Sequence, residues 1–194
     1  MLFRSTVIED AISWANSNNG FFIADTASGL TPDGAITFAQ GLSSASSHAA
    51  VYYPNVYVSD PVGRSTSALR LLPPSAGIAG LYLRTDATRG VFKAPAGITT
   101  AVAGVVAVEK SFTSTELDSM NASTSPVNAL RQIPGAGLSV MGARTLKQDG
   151  TANKYVNMRR SLIYIRKQLK NNTEFAIFEN NDEDRKSTRL NSSH

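Results

Sequence analysis

The chain has no cysteine, which excludes disulfides and thiolate metal sites anywhere in its 194 residues. Histidine is nearly absent too, with His48 and His194 the two present. A Ser-His-Asp triad needs an imidazole to carry the proton and a carboxylate to orient it. His48 sits in the plain run SSASSH with no Gly-x-Ser-x-Gly elbow in the chain, so it reads as a structural histidine leading into a strand. The acid pairs Glu9-Asp10 and Asp182-Glu183 are neighbours in sequence, where side chains diverge, and they read as solvated faces rather than metal ligands. No apolar run reaches the roughly 18 residues that would span a bilayer. No period of about 20–50 residues recurs, which argues against a solenoid.

What is present begins with a modest positive charge of +4. Its source is the ends. Residues 184–194 (DRKSTRLNSSH) back-translate in frame to a common sequencing adapter, and residues 1–5 (MLFRS) to the tail of its partner. Both are expected to be adapter translations and are set aside from fold reasoning. Without them 15 basic residues face 14 acidic ones, a balance of +1, and the high pI ceases to argue for nucleic-acid binding. Residues 6–183 are then expected to be cut from a longer protein. An apolar fraction of 42% is sufficient for a core, and the length suits one domain or one with part of another.

Along the chain, residues 7–18 place Val7, Ile8, Ala11, Ile12, Trp14 and Ala15 near one helical face, stopped by Asn18-Asn19-Gly20. Residues 21–25 (FFIAD) read as a buried strand. Asp33 is expected to cap a helix running to about Leu42. Residues 49–53 and 56–58 read as a strand interrupted at Pro54, which cannot donate to a ladder. A strand over 68–72, a helix over 75–85 opened by Pro73-Pro74, a strand over 104–108 and a short helix over 115–120 follow. Gly77 and Gly80 would let that first helix pack closely on a sheet. Helices alternating with short apolar strands predict an α/β layer architecture with a mainly parallel sheet. The Ser/Thr-rich break at 121–126 places a domain boundary there, giving domains over 6–126 and 127–183.

The run from 127 to 182 is the most informative. It reads as strand, loop, basic amphipathic helix and strand. Gly135 to Gly142 is Gly-rich, but a strand rather than a helix follows, so it reads as a bend and not a phosphate loop. On the helix over about 154–169, Tyr155, Met158, Leu162, Ile165 and Leu169 form one apolar stripe. Arg159, Arg160, Arg166, Lys167 and Lys170 lie largely off it, with no acid between them. Two readings stand: a solvated basic face, or a contact face for an acidic protein surface. Nucleic acid fits less well, because no aromatic platform is interleaved.

These residues resemble the contractile tail sheath proteins of phage tails and related injection machines. The shared blocks are Asn128, Leu130 and Arg131; Pro134, Gly135 and Gly137; Gly142-Ala-Arg-Thr-Leu146; and Tyr155-Val-Asn-Met-Arg-Arg160. Ordered blocks before them, Ala50-Val-Tyr-Tyr-Pro54, Leu72-Pro-Pro-Ser-Ala-Gly77 and Arg89-Gly-Val-Phe-Lys-Ala-Pro-Ala96, extend the likeness over about 49–182. Met141 stands where Trp is common and Met158 where Val is common, both volume-tolerant changes. The resemblance implies a subtilisin-like, non-catalytic α/β core followed by the start of a smaller α+β C-terminal domain, with no cofactor. It implies a structural subunit that polymerises around an inner tube and contracts to drive that tube through an envelope. Implied partners are other sheath subunits, tube, baseplate and tail terminator, in a tail particle assembled in the host cytoplasm. Nucleic acid and membrane insertion are not implied. Arg144, Arg159, Arg160, Arg166, Lys167 and Lys170 are the candidate tube or inter-subunit contacts; for Arg144 a paired, domain-holding role stays equally open. In the family, terminal arms add strands to neighbours' sheets, and this chain is expected to lack both arms and not to polymerise alone. Two other classes remain: a piece of an α/β hydrolase or nucleotide-binding enzyme whose catalytic parts lie elsewhere, and a monomeric binding module.

Overall fold

A computed structural model describes residues 2–42, 46–60, 68–98, 100–147 and 149–173. The first helix, α1 (Leu2–Ser17), begins inside the stretch read as adapter, while residues 184–194 and the expected strand after residue 173 lie outside the described residues. After it come β1 (Phe22–Asp25), α2 (Pro32–Gln40), β2 (Ala49–Tyr53), β3 (Val56–Ser59), β4 (Leu69–Leu72), α3 (Ser75–Arg89), β5 (Val105–Val108), α4 (Ser114–Ala122), β6 (Val127–Ile133), β7 (Gly137–Val140) and α5 (Val156–Thr173). Met1–Ile163 form one compact unit; from Tyr164 on, a second unit is described only as the last turns of α5.

Mixed helices and strands make this an α/β fold, with a sheet arrangement richer than expected. One sheet has the order β1-β2-β6-β7, in which β1, β2 and β6 run parallel and β7 returns antiparallel as a hairpin. The other, β4-β3-β5, is wholly antiparallel. The expected single strand broken at Pro54 is therefore two strands in two sheets. Pro54, after a cis peptide bond, and Asn55 carry the chain from one sheet to the other. Pro54 cannot donate to a ladder, so the first sheet's pairing ends there.

Strand β2 is buried at all five positions, as a near-continuous apolar run requires when both sheet faces are covered. Successive side chains point to opposite faces. Ala49, Val51 and Tyr53 join Ile8 and Ile12 of α1, Ala35 and Ala39 of α2, and Met120 of α4 in one core. Ala50 and Tyr52 join Ile78, Leu81 and Tyr82 of α3, with Leu130, Leu138, Val140 and Val156, in the other. Gly77 of α3 fits against Val102, whose Cγ1 lies 2.7 Å from where a Cβ would stand; Gly80 faces open space. Thr31, not Asp33, caps α2: its Oγ1 accepts from the Gly34 N–H, because Pro32 already occupies the first helical position. Helix α4 starts with a reciprocal capping box between Thr113 and Glu116.

The expected boundary at 126 falls inside the first sheet. Val51 pairs with Val127 and Tyr53 with Ala129, so β2 and β6, one before the break and one after it, are hydrogen-bonded neighbours. The Ser/Thr-rich stretch is a surface connection from α4 into that sheet.

Candidate interaction surface

The Gly-rich turn 134–136 closes the β6–β7 hairpin, with Gly135 and Gly137 at positive φ where a side chain is disfavoured. Beyond β7 the chain runs extended past Gly142 to Leu146 and is clamped by one side chain. Asn128 on β6 is fully buried. Its Nδ2 donates to the Val51 carbonyl (3.1 Å) and the Arg144 carbonyl (2.8 Å), and its Oδ1 accepts from the Arg144 N–H (2.7 Å). Gly142 is required there, since a Cβ would lie 2.9 Å from Asn128 Oδ1 and 3.2 Å from Asn128 Cα.

The clamped segment in turn seats α5. The Thr145 N–H donates to the Lys154 carbonyl (2.9 Å), and the Val156 N–H to the Ala143 carbonyl (3.0 Å). Asn157 Nδ2 donates to the Phe92 carbonyl (2.9 Å). These bonds set the rotation of α5 about its axis, and the apolar stripe is not the face they turn inward. Val156 and Arg159 point inward and are buried, with Arg160 and Ile163 half-buried beside them. Tyr155, Met158, Leu162, Ile165 and Leu169 are instead 39–59% exposed.

The six candidate cations separate accordingly. Arg159 is 9% exposed and so is no surface contact. Arg160 forms a bidentate ion pair with Asp86 of α3 and lies over the Tyr82 ring, 4.3 Å from its centroid. For Arg160, burial of the aliphatic stem beside an apolar core, with the charge held by Asp86, accounts for its position. Arg144 is half-buried, its guanidinium 5.8 Å from the Tyr155 ring centroid. Arg166, Lys167 and Lys170 are exposed, as is every residue from Tyr164 to Thr173.

Sequence reasoning missed the polar cluster behind Arg160. Tyr52 and Tyr82 hydroxyls meet at 2.5 Å in the second core. Burial, the larger influence, pushes both phenols above their ordinary range, so both stay protonated and one donates to the other. The only signal was tyrosine in a strand and a helix that otherwise read as apolar. Tyr82→Phe is expected to cost about 1–2 kcal/mol, because the Tyr52 hydroxyl is left buried without its partner. The Tyr52→Phe/Tyr82→Phe double variant should lose less than the sum of the singles, which a urea-denaturation cycle reads directly.

His48 is 4% exposed at the start of β2, its Nδ1 2.8 Å from the Gly20 carbonyl oxygen. Among the described residues no group of three or more His, Asp or Glu side chains could hold a metal ion, and no helix is long and apolar enough to cross a membrane.

No protein-family model and no curated protein sequence matches the chain. Solved structures do. The chain is 32% identical to a chain in the cryo-EM structure of the anti-feeding prophage (AFP) baseplate, with a TM-score of 0.74, covering 93% of this chain and 45% of that one. To the AFP helical sheath in the contracted state it is 31% identical, with a TM-score of 0.73, covering 94% of this chain and 46% of that one. To the sheath complex of an extracellular contractile injection system, PVC, in the contracted state it is 32% identical, with a TM-score of 0.70 over 83% of this chain and 42% of that one. The chain thus spans somewhat under half the length of the proteins it matches. With the same fold and about a third of its residues shared with two contracted sheaths, the chain belongs to the contractile tail sheath family.

Proposed function

We propose that the chain is a stretch of a structural sheath subunit, which polymerises helically around an inner tube and contracts to drive that tube through a target envelope. The observation carrying this is its likeness to the AFP helical sheath over 94% of its length. The sheet of β1, β2 and β6 with its helices is the partial subtilisin-like, non-catalytic core. The segment from Gly142 through α5 opens the smaller C-terminal domain. Contraction draws on the difference in interface free energy between two packings, multiplied over many subunits, and requires no nucleotide. Head-to-tail contacts whose rotation does not close build such filaments. Sheath neighbours and the baseplate are the direct partners, with tube and tail terminator completing a particle assembled in the host cytoplasm.

The exposed line Arg166, Lys167 and Lys170 supports contact with an acidic protein surface, for which we take the tube. The α5 sequence itself holds no acidic residue. Arg166→Glu/Lys170→Glu in the uninterrupted subunit is expected to lower sheath–tube co-assembly at least tenfold, measured by co-sedimentation, with subunit stability unchanged. Undiminished co-sedimentation would remove these cations from the tube contact. The function itself is tested by electron microscopy of the uninterrupted subunit. Ordered helical tubes are expected; a persistently monomeric protein would favour the binding-module reading.

A further inference from the structure

The carboxyl ends of β1 and β2 border a cavity of about 190 Å³, walled by Ser28, Asn55, Leu71, Leu72 and Pro73. In open α/β sheets, ligands gather at this end of the strands. At about 30 Å³ per water molecule, the space takes about six non-hydrogen atoms. That is too small for a nucleotide or coenzyme, since such pockets start near about 300 Å³.

The polar groups around it lack partners in one direction. Asn55 is 4% exposed, and its Oδ1 accepts no hydrogen bond. A buried acceptor left without a donor is rare and costly. Thr26, which directly follows β1 at the same end of the sheet, is 1% exposed and its Oγ1 has no partner either. Glu109 joins the two polar walls. Its N–H donates to the Asn55 carbonyl (2.8 Å), and its Oε1 accepts from the N–H of Gly29, next to Ser28 (2.7 Å). Among the described residues no cation pairs with this half-buried carboxylate. The site is therefore short of hydrogen-bond donors and of positive charge, while Leu71, Leu72 and Pro73 supply apolar wall.

We propose that this cavity binds one guanidinium group. A guanidinium is donor-only, always charged and weakly hydrated, so it serves the Asn55 acceptor and the Glu109 charge together. Its flat faces and alkyl stem lie against the leucine and proline carbons. An ammonium is compact and strongly hydrated, and it gains from the carboxylate without using the apolar walls. The binding chemistry is independent of the sheath reading.

Ethylguanidinium, which matches the space in size, is titrated into this chain and followed by amide NMR, with butylammonium as the control cation. Saturable millimolar shifts of the Asn55 side-chain amide and the Gly29 N–H are expected, with butylammonium weaker by about tenfold or more. Glu109→Gln keeps an acceptor for the Gly29 N–H but removes the charge, and should weaken ethylguanidinium by about fivefold or more. Ser28→Trp fills the space from an exposed position and should abolish binding. Shifts that never saturate, equal response to both cations, or binding unchanged in both variants would overturn the proposal and leave the cavity to water. The source of the group is read in the uninterrupted subunit. Polymerisation slowed both by ethylguanidinium and by Glu109→Gln assigns it to an arginine side chain of a neighbouring subunit. Polymerisation indifferent to both, with binding intact, assigns it to a free guanidino compound, and either result keeps the site.

Discussion

Asn128→Leu is expected to lower stability by about 3–5 kcal/mol, the largest loss from any single polar substitution in the described residues. Three hydrogen bonds end on this fully buried amide, and their partners are the backbone groups of Val51 and Arg144. Removing it strands one N–H and weakens two carbonyls where water has no access, at about 1–3 kcal/mol for a buried unsatisfied group. The loss also propagates, because the segment held by Asn128 seats the start of α5 through the Val156–Ala143 and Thr145–Lys154 bonds. Asn128→Asp separates size from donor capacity. A carboxylate keeps the bond from the Arg144 N–H but faces two carbonyl oxygens with no proton to offer. It is expected to be about as damaging at pH 7. Part of the loss should return as the pH falls toward about 4, where the protonated carboxyl donates once. The sign follows because those carbonyls favour the protonated form, raising the folded-state pKa, so stability is lost as pH rises through it. Urea midpoints of both variants decide the matter. A loss under about 1 kcal/mol for Asn128→Leu would mean that the stranded groups find other partners.

Arg160→Met is expected to cost about 2–4 kcal/mol. Arg160 and Asp86 side chains are 13% and 21% exposed, so their ion pair is largely shielded from solvent and loses little to screening. The guanidinium also covers the Tyr82 ring above the buried tyrosine pair. Breaking the pair from one side leaves the Asp86 carboxylate against an apolar wall. Arg160→Lys should lose about half as much, since an ammonium keeps the charge but not the bidentate fork or the stacking. The double variant Arg160→Met/Asp86→Leu should regain most of the loss. A double-mutant cycle by chemical denaturation checks this. Strict additivity would show that Arg160 acts through packing alone. This residue had stood as a candidate partner contact, and its ties to α3 make it a tether inside the subunit instead.

Much of the fold was legible because it rests on local rules. The apolar run 49–53 announced a strand covered on both faces, and β2 is that strand. Pro73-Pro74 announced the start of α3, which begins at Ser75. The Gly-rich run 135–142 was read as a bend before a strand; its first residues form the β6–β7 turn, but β7 itself already occupies Gly137–Val140. The misses share a different character. The cap of α2 lies two residues before the expected Asp33, because Pro32 is the first helical residue and Thr31 precedes it. The second sheet went unseen because Pro54-Asn55 reads locally as an interruption, although it is where the chain changes sheets.

The candidate surface shows the same division most sharply. Residue spacing settled that α5 is a helix with an apolar stripe and a basic line, because 3.6 residues per turn is a property of the backbone alone. It could not say which stripe faces inward. That choice was made by bonds to residues distant in sequence: Ala143 to Val156, Phe92 to Asn157 and Asp86 to Arg160. Each fixes a rotation about the helix axis, a degree of freedom that periodicity leaves undetermined. The sequence by itself therefore determined the elements, their order and the family likeness. Tertiary structure alone decided which arginines are buried or tied to α3, which cations face solvent and which apolar stripe is left exposed.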